Sequence, residues 1–190
     1  MVIERIQSEL RSTATYKKAW WGKQRALQKA YGGWAESYAQ LPRWFAAFEF
    51  FNPGTIIAWD HNGMMDGPIP RFVFGRVFWA FKPCINAFAY MKPIIQIDGT
   101  HLYGRYTGSL LIAMTQDGDG HLLPVAFAIV ESETIEAWTF FLYHLRIHVA
   151  KGKQDICLIS DRHKSILVAV SNPNLLWQPP MHIMCFVFDT

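Results

Sequence analysis

Two short apolar runs each stop at an aspartate, with three further elements between them. "IIQID" spans Ile94–Asp98 and "ICLISD" spans Ile156–Asp161. Both are rich in β-formers and short enough for buried strands. The spacing predicts one strand over Ile94–Asp98, then a turn-rich link over Gly99–Gly108. "SLLIAMTQ" and "HLLPVAFAIV" read as a second and third strand, joined at the tight turn Asp117-Gly118-Asp119-Gly120. Pro124 inside the third run implies an edge strand or a bulge. Glu133, Thr134 and Glu136 then start a helix with acidic and polar groups in its first turn. Trp138, Phe141, Leu142, Leu145 and Val149 give that helix one apolar stripe, and Lys151-Gly152-Lys153 ends it. "ICLIS" reads as a fourth strand buried on both faces, and "HKSILVAV" opens another helix.

A helical crossover normally returns the chain parallel to a strand already in the sheet. The expected result is an α/β fold with a mixed sheet in the order 3-2-1-4, a possible fifth strand beyond it, and flanking helices. Strands one and four then run the same way, so their C-terminal ends meet on one edge. Asp98 and Asp161 come side by side there, although 63 residues (161 − 98) separate them. Ligand sites in such sheets gather beyond those strand ends.

Two readings of the pair stand at this point. Each aspartate is a natural capping residue, Asp98 for a turn before Gly99 and Asp161 for the following helix. Alternatively the two form one site. Adjacent carboxylates repel unless a cation lies between them, and Mg²⁺ suits an oxygen-only site that also holds a phosphate.

The remainder of the chain divides near Pro53 and again near Lys92. Residues 1–53 read as a helical N-terminal region. Tyr16, Trp20, Lys23, Leu27 and Tyr31 sit at near-helical spacing, and Gly32-Gly33 supplies a stop. "SYAQLPRWFAAFEFF" reads as a second helix with Pro42 at or near its first turn, ended by Asn52-Pro53-Gly54. Trp44, Phe45 and Phe48 read as its packing residues. Residues 54–91 form a strand-rich connecting segment, in which "TIIAW" and "RFVFGRVFWAF" flank the loop "DHNGMMDGPIP". Residues 92–190 carry the core described above. The composition is 51% hydrophobic, with eight Trp, which is rich enough for a sizeable core and excludes a disordered chain. A net charge of +3 permits nucleic-acid contact without demanding it. Three cysteines, Cys84, Cys157 and Cys185, lack paired spacing, which fits a reducing compartment. No secretory signal and no membrane-length apolar run is expected.

The stretch from Ile94 to Leu145, followed by "ICLISDRHKSI", resembles the transposase domain of plant Mutator-like elements, the MULE or MuDR class. The resemblance rests on the "DGTHL" start, the "QDG" turn, the "PVAFAIVE" strand, the "EAW" helix start and the "SDRH" segment. "YGGWAESYAQLPRWFAAFEFFNPGT" and "FWAFKPCINAFAYMKP" resemble the region before that domain. The resemblance implies an RNase H-like core of the DDE type. Such proteins hold Mg²⁺ or Mn²⁺ with two Asp and one Glu, cut DNA at element ends and join the ends to target DNA. Asp98 and Asp161 fall on the two family aspartates, the implied catalytic and metal-binding residues. The family Glu belongs in a helix beyond the last strand, so the chain reads as a C-terminally truncated, inactive fragment. Glu131, Glu133 and Glu136 precede Asp161 and cannot replace that Glu by order.

The tail departs from the family at "HIMCFVFDT", where Phe188 stands in the place of a family His. His182 and Cys185 alone do not make a zinc site, and Cys185 reads as a buried strand residue. His101, Arg105, Arg162, His163 and Lys164 cluster beyond the two strand ends, where they read as contacts to DNA phosphates. The implied protein is nuclear, binds DNA and no membrane, and allows oligomerisation. The alternative is a domesticated, non-catalytic transposase relative acting as a DNA-associated regulator.

Overall fold

A computed structural model of the chain describes residues 15–65, 71–153, 155–175, 177 and 183–185. The chain separates into two compact units, Met1–Ala46 and Ala47–Thr190.

The first unit holds helix α1 (Tyr16–Tyr31) and most of helix α2 (Trp34–Phe51). Thr15 caps α1 by accepting from the Lys18 N–H, and Gly32 ends it at φ +86°, a conformation that favours glycine. The stripe expected on α1 is not a buried face: Tyr16, Trp20, Leu27 and Tyr31 are exposed, and Ala19 is the buried residue. Helix α2 starts earlier than expected, so Pro42 lies in its interior rather than in its first turn. Phe45 is buried and Phe48 half-buried, but Trp44 is exposed.

The second unit is built on a seven-stranded mixed sheet. Its strands are β1 (Ile56–Met65), β2 (Arg71–Ala80), β3 (Ile94–Leu102), β4 (Gly108–Gln116), β5 (Leu122–Val130), β6 (Cys157–Ser160) and β7 (Ile183–Cys185). Their spatial order is β1-β2-β5-β4-β3-β6-β7. β3, β4 and β5 form an antiparallel meander, and β6 lies parallel to β3 on its other side. The four strands from "IIQID" to "ICLIS" thus stand in the expected order, and β7 supplies a fifth beside β6.

The differences have local causes. The strand-rich segment 54–91 supplies β1 and β2, and β2 pairs with β5, so both extend the same sheet. β1 runs on through Asp60–Met65, residues expected to be loop, because Asp60 and His61 pair with Arg76 and Phe74. The rest of that loop, 66–70, lies outside the described residues. With β2 attached, β5 is not an edge strand. Pro124 is tolerated because β2 meets β5 only at Phe127–Ile129, and a register shift between Ala113 and Met114 relieves the β4 side. A short helix, α3 (Lys82–Phe88), was not foreseen; Pro83 in its first turn is the signal for it.

Helix α4 (Ile135–His144) begins at Thr134, whose hydroxyl accepts from the Ala137 N–H at 3.1 Å, and a π-helical turn (Leu145–Val149) continues it. Trp138, Phe141, Leu142, Leu145 and Val149 are all buried, as the stripe requires. They join Phe78, Ile95, Leu111, Leu158 and Ile166 in one core between the sheet and helices α4 and α5 (Lys164–Val170). β6 is buried on alternate residues, Leu158 and Ser160, rather than on both faces. Phe186, Phe188 and His182 lie outside the described residues.

Candidate metal centre

β3 runs four residues further than expected. Gly99 to Leu102 pair with Leu111 to Gly108, so Asp98 sits within the strand rather than closing it. On the other side the ladder stops early. Ile94, Ile95 and Gln96 face Cys157, Leu158 and Ile159, and β6 ends at Ser160. From Asp98 onward, the β6-facing edge of β3 is therefore open. The same register, continued by two residues, sets Asp98 level with Asp161. Parallel neighbours lie about 4.8 Å apart, so the two backbones reach one sheet edge together.

Both aspartates are exposed. Asp98 Oδ1 accepts from the Gly99 N–H at 2.8 Å, and Asp161 Oδ1 accepts from the His163 N–H at 3.1 Å. The capping geometry is therefore present at both positions. One carboxylate oxygen on each remains outside those bonds. Capping and ligation are compatible.

The basic residues expected nearby are all exposed. His101 lies on β3, its Nδ1 3.4 Å from Ser109 Oγ. Arg105 lies in the link to β4, with its guanidinium 6.0 Å from the Tyr106 ring centre. Arg162 and His163 follow Asp161, and Lys164 opens α5. They sit on the two segments that leave the same sheet edge.

The three glutamates set aside by their order have separate fates. Glu131 is held by Arg76, whose Nε and Nη2 donate at 2.8 and 2.5 Å. That bond and the Arg76 charge hold the Glu131 carboxyl below its ordinary range. Glu136 is exposed in the first turn of α4. Glu133 turns toward β3. A Cβ placed on Gly99 would lie 2.6 Å from Glu133 Cδ and 2.7 and 2.9 Å from its two oxygens. Gly99 thus makes room for a carboxylate beside the residue that follows Asp98. Sequence order hid this, though a glycine inside a strand is a known sign of close approach.

Residues 94–188, half of the chain, match the family described as the MULE transposase domain. The chain belongs to the MULE transposase domain family. No curated protein matches the chain. The MULE region contains β3 through β7, so both aspartates and Glu133 fall within it.

The donor set suits a hard divalent cation, since all three groups offer oxygen. Among the described residues, the one group of His, Cys, Asp or Glu with ligand atoms all within 4.8 Å of one another lies elsewhere, at Asp117, Asp119 and His121. That group closes the β4–β5 hairpin of the MULE domain, at the far end of the sheet. Asp117 Oδ1 accepts from the Asp119 and His121 N–H groups at 2.9 and 2.8 Å, and Oδ2 lies 3.0 Å from His121 Nδ1. These bonds account for it as a turn lock.

Proposed function

We propose that this MULE domain is the catalytic core of a DDE transposase with an RNase H-like fold, acting on DNA in the nucleus with Mg²⁺ or Mn²⁺. The observation that carries the reading is the arrangement of β3 and β6. They are parallel neighbours whose register, continued past Gln96 and Ile159, levels Asp98 with Asp161 at an edge where β6 stops. The family match and the sheet order support it. The motif resemblance is to plant Mutator-like elements.

Asp98 and Asp161 would hold the metal. A divalent cation held by these residues would supply charge stabilisation for the attacking and leaving oxygens. The chain's own groups do the positioning. Arg105, Arg162 and Lys164 bind backbone phosphates and bring the strand across the open edge. His101 and His163 flank the aspartates and fix the DNA's approach. The backbone N–H groups of Gly99 and His163 hold one oxygen of each aspartate, which limits carboxylate rotation.

The test is strand cleavage and strand transfer by the 190-residue chain on duplex DNA carrying the element's ends, with Mn²⁺. Cleavage by this chain, or by one carrying the family's Glu-bearing helix, should disappear in both Asp98→Asn and Asp161→Asn. Cleavage unaffected by either substitution would sink the reading. A second reading, a non-catalytic DNA-associated regulator, needs only the exposed basic residues His101, Arg105, Arg162, His163 and Lys164 at this edge and no metal. Salt-sensitive DNA binding without cleavage or Mn²⁺ binding would select it.

A further inference from the structure

We infer that helix α1 is a second DNA-binding surface, outside the MULE domain, and that it holds the backbone of a duplex through Lys18, Arg25 and Lys29. The inference rests on the function proposed above, that the chain acts on DNA, and names where part of that DNA is held.

The charge of the chain is divided unevenly. The unit Met1–Ala46 has eight Lys and Arg against three Asp and Glu, a net +5. The unit Ala47–Thr190, which contains the whole MULE match, has ten against twelve, a net −2. Affinity for DNA comes largely from neutralising phosphates, and a net-negative unit supplies little of that attraction beyond the few cations at its open edge. An asymmetry of this sign between two parts of a chain points to a polyanion as the partner of the basic part.

Within the first unit the charge is concentrated and arranged. Helix α1 carries Lys17, Lys18, Lys23, Arg25 and Lys29 and no acidic residue. All five are exposed, and among the described residues no carboxylate forms an ion pair with any of them. At about 3.6 residues per turn, Lys18, Arg25 and Lys29 fall within an arc of about 40° and form one row about 16 Å long. Gly22 falls beside them, and a Cβ built there would meet nothing within 4 Å, so the row faces open space. Tyr16, Trp20, Leu27 and Tyr31 stand on the opposite side of the helix. Lys and Arg on phosphates carry no sequence information, so the contact is independent of sequence. An anionic membrane is the other surface that a basic helix meets, but there the apolar face enters the lipid with cations at its flanks. The α1 row lies directly opposite its aromatic residues instead.

The experiment is fluorescence anisotropy of a short duplex of arbitrary sequence, titrated with the full chain across a salt series without metal. The triple variant Lys18→Gln/Arg25→Gln/Lys29→Gln should bind about tenfold more weakly or worse at low salt. Its slope of log affinity on log salt should shrink by about 2.7, three contacts at about 0.9 each. Gln matches Lys and Arg in helix propensity, and far-ultraviolet circular dichroism checks that α1 persists. Lys18→Arg/Arg25→Lys/Lys29→Arg keeps the charge and should bind as the unaltered chain does, which separates charge from folding. Lys82→Gln/Lys151→Gln removes exposed cations of the second unit and should leave the slope unchanged. An unchanged slope in the Gln triple, beside a reduced slope in Arg105→Gln/Arg162→Gln/Lys164→Gln, overturns this inference and leaves the open edge as the DNA site. Absence of DNA binding by the unaltered chain overturns the inference and the function proposed above together, and binding to phosphatidylserine vesicles in its place would assign α1 to a membrane surface.

Discussion

Arg76 on β2 grips Glu131, the residue just past β5, with two hydrogen bonds of 2.8 and 2.5 Å, and Asp60 on β1 lies 3.7 Å from the same guanidinium. This cluster spans the three strands at one side of the sheet. The β2–β5 ladder is short, pairing three residues on each strand, so the bidentate pair reinforces a seam with few backbone bonds. Glu131→Gln should destabilise the fold by about 0.5–1 kcal/mol, a figure kept small because Glu131 is partly exposed. Urea denaturation followed by Trp fluorescence measures it. The Arg76 hydrogen bond lowers the Glu131 pKa from its ordinary 4.5. The contribution is therefore present above pH 4.5 and is lost as the pH falls through the lower folded value.

A second pH dependence lies in a higher window. His144 packs against Phe78, Phe140 and Tyr143 and stacks on His148 at 5.6 Å between ring centres. Its Nδ1 is buried and has no hydrogen-bond partner among the described residues. Burial, followed by the His148 charge, pushes its pKa from 6.5 to about 4, while Asp60 acts weakly the other way. The unfolded chain regains the ordinary value and takes up the proton first as the pH falls. Stability is thus full above pH 6.5 and declines down to about pH 4. His144 is half-exposed, so the loss should be about 1–2 kcal/mol rather than the full linkage value. His144→Phe should flatten the pH dependence of the urea midpoint between 6.5 and 4. An unchanged slope would remove His144 as its source.

The helix start that carries Glu133 can be loosened on its own. Thr134→Ala removes the hydroxyl that accepts from the Ala137 N–H and should cost about 1 kcal/mol. Trp138→Ala, by contrast, empties a fully buried site and should cost about 3–5 kcal/mol.

The parts of this fold that a reader of the sequence can see are those with a strong local period. The α4 stripe and the runs of β4 and β6 follow from side-chain alternation and helical spacing, and crossover geometry then orders the strands. What escaped depends on partners far along the chain. β3 continues past Asp98 because β4 pairs with it, which no property of "GTHL" announces. Pro124 was legible as a bulge, which the register shift opposite it bears out, but not that β2 would cover β5 only beyond it, at Phe127–Ile129. The close approach of Glu133 to β3 at Gly99 is likewise a long-range contact. Gly99 was the readable clue, since a glycine within a strand marks a place where something approaches closely.

The last prediction separates the two roles open to Asp98 and Asp161. Asparagine keeps the side-chain oxygen that accepts from Gly99 or His163, and it caps as well as aspartate does. It lacks the charge and the second carboxylate oxygen that a divalent cation requires. If the aspartates act only as caps, Asp98→Asn and Asp161→Asn should melt where the unaltered chain melts, with and without Mn²⁺. If they hold metal, the variants should match or slightly exceed the unaltered chain without Mn²⁺, because one of two like charges is gone. Added Mn²⁺ should then stabilise the unaltered chain by about 2.7 kcal/mol at one hundred times its dissociation constant, and neither variant by a comparable amount. Thermal melts of the three proteins across a Mn²⁺ series read the difference directly. Equal Mn²⁺-induced shifts in all three would return both aspartates to capping alone.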